Sequence, residues 1–359
     1  MGAVLSETGN GAYYGQSIRR GMDLGLDEVN AAGGIKGIPL TILHRDSGSS
    51  AEQAVRAAVE LYDRLDVPLI LGAVLSSETL RIAPLAEKRR KILLSPASSS
   101  PEITHAGRYV FRVYPSDNLE GAYMAQLAGD ELKLRSVRIV AIDNAFGRGL
   151  AAVFRRSFPG ASRPEIQLYA EHGEDHAAVA DKALAAGTEG IYLAGYYSDM
   201  GKILKEIRKI SPDRTVLSTS SFGNPKTLEE AGDAAEGVVF PTTVFDPDSE
   251  EPSVKRFTAR YRERHHADPD LWAAHGYDAV LVAAEAIRRA GGAQPERIAD
   301  ALRGIKDFRG ASGTLSFDAE GDVVQYPRAY IVHEGRFILY RDYREKVRSH
   351  PRPIGEDRP

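Results

Sequence analysis

The strongest constraint on this chain is its alternation of short apolar runs with stretches of helical periodicity. Residues 3–5, 68–72 and 92–95 are apolar runs closed by Ser- or Gly-bearing loops. Between them, residues 15–32, 51–65 and 76–90 carry apolar or small side chains at helical spacing, as with Ile18, Met22, Gly25, Leu26 and Val29. Gly33-Gly34 ends the first helix, and a further strand is expected over residues 38–44. Buried strands alternating with helices predict an α/β fold, with parallel sheets covered on both faces.

The pattern then starts again. Strands are expected at 137–142, 166–169, 191–193 and 215–217, with a helix at 147–158. Leu69-Ile70-Leu71-Gly72 precedes Leu94-Ser95 as Tyr192-Leu193-Ala194-Gly195 precedes Leu217-Ser218, with a Gly-to-Ser separation of 23 positions in both. One α/β unit used twice accounts for this, and 359 residues suit about two domains. Residues 246–252 form an acidic, Pro-bounded connector. Helices follow at 254–265 and 272–290, then short strands at 315–317, 330–332 and 337–340. Residues 349–359 read as a surface-draped tail.

Composition removes several function classes. With no cysteine there is no disulfide scaffold, thiolate metal site or cysteine nucleophile. A net charge of −4 with interspersed signs argues against a nucleic-acid footprint. No run of about 18 apolar residues is available to span a membrane. The chain opens on Met1-Gly2-Ala3-Val4-Leu5 without a basic or apolar leader. It is therefore cytoplasmic, or a mature chain whose export signal has been removed.

Gly9-Asn10-Gly11 after a strand, with Asp46 beyond the next one, invites a dinucleotide reading. The third glycine is Gly15, however, giving GxGxxxG rather than GxGxxG, so a flexible strand-to-helix turn is favoured. His172, Glu174 and His176, and the pair His265-His266, lack the converging ligand pattern zinc needs. The acidic run 246–251 lacks the glycine and spacing of a calcium loop. No cofactor or metal is expected. The serine clusters are more informative. Ser76-Ser77 and Ser98-Ser99-Ser100 both stand where a strand passes into a helix. Such serines cap helices, or they join a helix N-terminus in capturing an anion. The residues alone leave these two readings even.

In order along the chain, several motifs are similar to those of the branched-chain amino-acid binding proteins, the type I periplasmic solute-binding proteins of ABC transporters. They are Thr8-Gly9 through Tyr14-Gly15-Gln16, Gly21, Ile35-Lys36-Gly37-Ile38-Pro39, Gly72-Ala73-Val74-Leu75-Ser76-Ser77, Ser95-Pro96-Ala97-Ser98-Ser99-Ser100-Pro101-Glu102, Pro115-Ser116-Asp117, Gly195-Tyr196-Tyr197 and Gly232-Asp233-Ala234-Ala235-Glu236-Gly237. The resemblance reaches about residue 340. It implies two Rossmann-like lobes joined by a three-strand hinge: residues 1–117 with 247–325, and 118–246 with 326–345, followed by a tail at 346–359. It also implies binding without catalysis, by closure of the lobes around one small carboxylate-bearing ligand. The partner would be a set of ABC permease subunits, the location periplasmic or extracytoplasmic, and the protein a monomer.

Carried over position by position, the resemblance makes Ser76 and Ser99 the carboxylate-binding hydroxyls, beside Ser77, Ser98 and backbone groups of Ala97 and Ser99. Tyr14 becomes the aromatic wall of the first lobe, and Phe146 falls where the family often has Tyr on the second. Tyr196 and Asp117 lie near the ligand's ammonium end. The family commonly carries a Glu after the strand ending near Leu217, and here Ser220 stands there. A buried ammonium without a carboxylate partner is costly, and Asp117 or Glu78 would have to compensate. The ligand is then a branched-chain or other apolar amino acid, or else an aromatic or aliphatic acid without an ammonium group. A ligand sensor of the same fold is the alternative from another class.

Overall fold

The computed structural model describes residues 1–171, 175–185, 187–243 and 245–349. They form two compact units: 1–119 with 143–153 and 243–326, and 120–142 with 154–242 and the segment from 327.

The first unit begins with β1 (Gly2–Leu5), α1 (Ala12–Ala31), β2 (Leu43–Asp46), α2 (Ala51–Val59), β3 (Leu69–Gly72), α3 (Ser76–Arg89), β4 (Ile92–Ser95) and β5 (Val110–Arg112). Its five strands are all parallel, in the order β2-β1-β3-β4-β5. β1, β3, β4 and β5 are buried along their whole length, which explains why their sequences show no polar alternation. Fully buried Val4, Ile70, Ile82 and Leu93 share one core cluster, each contributing about 1.5–3 kcal/mol relative to an exposed position.

Next come α4 (Asp117–Gln126), β6 (Val137–Ile142), α5 (Ala145–Ser157), β7 (Glu165–Tyr169), α6 (His176–Leu184), β8 (Gly190–Ala194), α7 (Tyr197–Ile210), β9 (Thr215–Ser218), α8 (Pro225–Ala231) and β10 (Val239–Thr242). α9 (Pro252–His265), α10 (Leu271–Ala290), α11 (Pro295–Arg303) and the small pair β11 (Phe308–Arg309) and β12 (Thr314–Leu315) belong to the first unit. β13 (Arg328–His333), β14 (Arg336–Leu339) and α12 (Tyr340–Ser349) belong to the second. The second sheet runs β14-β13-β10-β9-β8-β6-β7, antiparallel only where β13 joins β10 and β14. Without β13 and β14 its strand order repeats that of the first sheet. In both halves the serine that ends a strand donates to a carbonyl of the neighbouring strand segment, though at different positions: Ser95 Oγ, ending β4, donates to the Ala73 carbonyl just past β3 at 2.7 Å, and Ser218 Oγ, ending β9, donates to the Leu193 carbonyl within β8 at 2.8 Å.

α1 and α10 cross at small residues. A Cβ at Gly21 would land on the Ala273 carbonyl, and one at Gly276 on the Ile18 carbonyl. Only glycine allows the two backbones this approach.

Three sequence expectations are corrected. Residues 38–42 are not strand: Ile35 and Ile38 bridge each other across a tight turn, Lys36 and Gly37 have positive φ, and Ile38 is exposed. Only Leu43–Asp46 pairs with β1. The expected strand 337–340 is β14, but Tyr340 already opens α12, which continues through Ser349 into the segment read as tail. The remaining tail, 350–359, and the candidates His172 and Glu174 lie outside the described residues. Among the described residues no helix is long and apolar enough to cross a membrane.

Candidate functional site

In doubly wound sheets, ligands bind outside the carboxyl ends of the strands. In the first unit this places the loops after β3 and β4 at the centre. Ser76 opens α3, where the first amides of a helix have no partner within it. Leu75, not Ser76, occupies the cap position. Ser76 Oγ instead accepts the backbone N–H groups of Ser99 and Ser100, at 3.2 and 3.1 Å. With two N–H groups donating into it, this hydroxyl has its own proton left to give, at a helix N-terminus that favours negative charge.

Ser99 is engaged at three points. Its amide reaches Ser76, its carbonyl accepts the Asp117 N–H at 2.9 Å, and its hydroxyl donates to Asp117 Oδ2 at 3.0 Å. Asp117 is buried. Ser98 has a structural task, since its Oγ lies 2.8 Å from Thr79 Oγ1 and donates to the Ala73 and Val74 carbonyls. The Ala97 amide donates to Ser95 Oγ at 3.3 Å. The amides of Ala97 and Ser99, expected to serve a ligand, are thus bonded to neighbouring hydroxyls. Ser77 is half-buried, with no side-chain bond to the rest of the cluster.

An aromatic group stands in the same unit. Tyr14 meets Trp272 edge-on at 4.9 Å, Trp272 stacks on Tyr114 at 5.2 Å, and Tyr114 tilts against His275 at 4.9 Å. Burial lowers the His275 pKa to about 3 and keeps the ring neutral. Trp272 and Tyr114 were not singled out in the sequence. The one signal available was that Trp272 is the chain's sole tryptophan. Phe146, near the start of α5, is buried and groups with the first unit, not with the second lobe where the resemblance put it.

In the second unit, Tyr196 ends the loop after β8 at the cap position of α7, and Ser220 follows β9 in a short turn. Both are buried. The Ser220 N–H donates to Glu120 Oε1 at 3.0 Å, and the Ser220 hydroxyl bonds the same carboxyl. Burial raises the Glu120 pKa to about 7. Glu120 had no sequence signal beyond lying three residues after Asp117.

Other candidates serve the fold. Glu78 accepts bonds from Ser6 Oγ at 2.9 Å and Ser47 Oγ at 2.7 Å, and burial raises its pKa. It is committed to fastening the ends of β1 and β2. Asp46 takes the Thr8 hydroxyl and the amides of Glu7, Thr8 and Gly48. Those loop amides are therefore occupied, and a Cβ at Gly15 would strike the Ser6 carbonyl. The glycines serve close packing, not a pyrophosphate. His176 lies 3.7 Å from Asp199, and no group of potential metal ligands converges among the described residues.

The chain belongs to the periplasmic binding protein family, whose description matches residues 1–333. It is 27% identical over 348 residues to the leucine-, isoleucine-, valine-, threonine- and alanine-binding protein of Pseudomonas aeruginosa, covering 95% of this chain and 89% of that protein. The leucine binding protein LivK of Thermotoga maritima superposes with a TM-score of 0.89 at 28% identity, covering 94% of this chain and 96% of that one. LivJ of Streptococcus pneumoniae, solved with isoleucine, gives a TM-score of 0.84 at 26% identity, with 94% and 96% covered. All three of these relatives are described as binding proteins.

Proposed function

We propose that this protein is the extracytoplasmic solute-binding component of an ABC transporter, taking an apolar amino acid and delivering it to permease subunits without catalysis. Branched-chain side chains are the leading candidates. The ligand's carboxylate is received at the start of α3 by the Ser76 hydroxyl and the adjoining helix amides. Each such charge-assisted bond is worth about 1.5–3 kcal/mol, and a few of them supply much of the roughly 8 kcal/mol of micromolar binding. Tyr14 and Trp272 face the apolar side chain. The observation that carries this reading is the bonded series Ser76, Ser99, Asp117, which sets a hydroxyl donor and a carboxylate side by side.

The test is calorimetric titration of the Ser76→Ala/Ser99→Ala double variant with L-leucine. A loss of more than about 100-fold in affinity with an intact circular-dichroism spectrum is expected, corresponding to about 2.7 kcal/mol or more. Unchanged affinity would sink the site.

A second reading is a carboxylic acid without an ammonium group. It draws on Ser220, which brings no charge of its own to the loop after β9. A thermal-shift comparison of leucine with its 2-keto acid separates the two, since ligand at 100 times Kd stabilises by about 2.7 kcal/mol.

A further inference from the structure

Glu78 stands two residues beyond Ser76 on α3, and its side chain turns back to the helix start, where Oε2 accepts the Leu75 N–H at 3.3 Å. A glutamate in the first turn of an exposed helix keeps its charge, which the dipole favours. Glu78 is instead 0% exposed, and no cation is among the groups acting on it. The charge that does act on it is that of Asp46, at the end of β2, and it has the same sign. Glu7, in the loop after β1, is paired with Arg19 at 3.0 Å. Residues 73–77 and 96–100, after β3 and β4, include no charged side chain. Asp322, by contrast, is bonded to Arg112 at 2.5 and 2.6 Å.

The hydrogen bonds around Glu78 depend on where its proton is. Ser47 Oγ carries one proton and has three oxygens within reach: Glu78 Oε1 at 2.7 Å, the Leu5 carbonyl at 3.1 Å and Ser6 Oγ at 3.3 Å. Ser6 gives its own proton to Glu78 Oε2 at 2.9 Å. With Glu78 ionised, the Ser47 proton goes to the carboxylate, and the Ser47 hydroxyl and the Leu5 carbonyl face each other with no proton between them. With Glu78 protonated, its O–H donates to Ser47, Ser47 donates to Leu5, and only the longest contact is left without a proton. Burial favours the same neutral form.

We propose that Glu78 is held as the neutral acid, donating to Ser47 Oγ, and that in this form it is the positioning residue for the start of α3, where the ligand's carboxylate is received. This rests on the amino-acid reading above. Neutral Glu78 ties Leu75, and with it the first turn of α3, to the ends of β1 and β2, while the positive end of the helix dipole is left to the ligand. An ionised Glu78 would set a second negative charge beside the incoming carboxylate.

The experiment compares wild type with Glu78→Gln and Glu78→Met, by infrared difference spectroscopy at neutral pH and by calorimetric titration with L-leucine. In the glutamine variant the amide nitrogen replaces Oε1 and donates to Ser47, while its oxygen accepts from Ser6 and Leu75, so the bonds of the neutral acid are kept. Methionine keeps the length and loses them. A carboxylic-acid carbonyl band is expected in wild type and not in the glutamine protein. Leucine affinity should stay within about threefold of wild type for glutamine and fall at least about tenfold for methionine. Should the methionine protein unfold, Glu78→Asp, which withdraws the carboxyl by one methylene, must weaken leucine at least about tenfold in its place. An acid that serves the fold alone would lower stability without moving affinity. A smaller loss in the folded methionine or aspartate protein therefore overturns the positioning role. Absence of the infrared band while leucine binds, or a loss of more than about threefold with glutamine, overturns the neutral acid. Wild type that does not bind leucine fails the amino-acid reading itself, and the positioning role with it, whatever the band shows.

Discussion

Ser99 and Asp117 hold each other reciprocally: the serine hydroxyl donates to the aspartate at 3.0 Å, and the aspartate amide donates to the serine carbonyl at 2.9 Å. The pair fixes the end of the β4 loop to the start of α4, so a side chain proposed to touch ligand is also part of the scaffold. Asp117→Ala should therefore lower stability by about 1–3 kcal/mol and weaken leucine binding as well. Urea unfolding and calorimetry read the two effects, and an unchanged midpoint would show that the reciprocal bond contributes nothing.

Ser76 and Ser77 are neighbours in sequence but not in consequence. Ser76→Ala leaves the amides of Ser99 and Ser100 without their hydroxyl acceptor and should cost about 1–3 kcal/mol. Half-buried Ser77→Ala should stay within about 0.5 kcal/mol of wild type. Equal melting temperatures for the two variants would contradict this ranking.

Asp278 gives a pH signature. Burial raises its pKa from 3.8 to about 6 in the folded protein. The folded state therefore binds more protons than the unfolded state between those values. Its stabilising contribution is complete below pH 3.8 and declines as pH rises to about 6, by on the order of 3 kcal/mol. Asp278→Asn should flatten this part of the stability profile. Parallel profiles for the two proteins between pH 4 and 6 would refute the assignment.

Arg112 is fully buried, bonded to both carboxylate oxygens of Asp322, to the Ser100 carbonyl at 2.9 Å and to Thr104 Oγ1 at 2.7 Å. Removing Asp322 strands that charge, so Asp322→Ala should destabilise by about 3–5 kcal/mol. The exposed pair of Arg108 and Asp300 should contribute under about 1 kcal/mol. Denaturant titration of the two alanine variants distinguishes them.

A methyl group at Gly21 meets the Ala273 backbone, so Gly21→Ala should destabilise by about 1–3 kcal/mol or more. A wild-type melting curve would mean that the α1–α10 crossing adjusts freely.

Sequence reading worked best where period and burial agree. The segment 92–95 is β4 and 137–142 is β6, because both are apolar runs with clear ends. It failed where a local exception intervened. β10 carries Pro241, which argues against a strand, yet Pro241 stands opposite Ala329 in the antiparallel pairing with β13. β5 ends in Arg112, a charge whose burial becomes intelligible only once Asp322, 210 residues away, is seen beside it. Glu120 was invisible for the same reason, as its partner Ser220 is 100 residues distant. The clusters 76–77 and 98–100 could be picked out from loop position, and the family resemblance singled out Ser76 and Ser99 within them, but their division of labour could not be read. The bonds that separate a donor at Ser76 from an acceptor pair at Ser99 and Asp117 are tertiary.

The matched serines Ser95 and Ser218 each fasten a strand end to its neighbour within their own half of the duplicated architecture. Neither bond reaches outside its own half, so losing one serine hydroxyl should loosen the strand end it fastens and leave the other serine's bond in place.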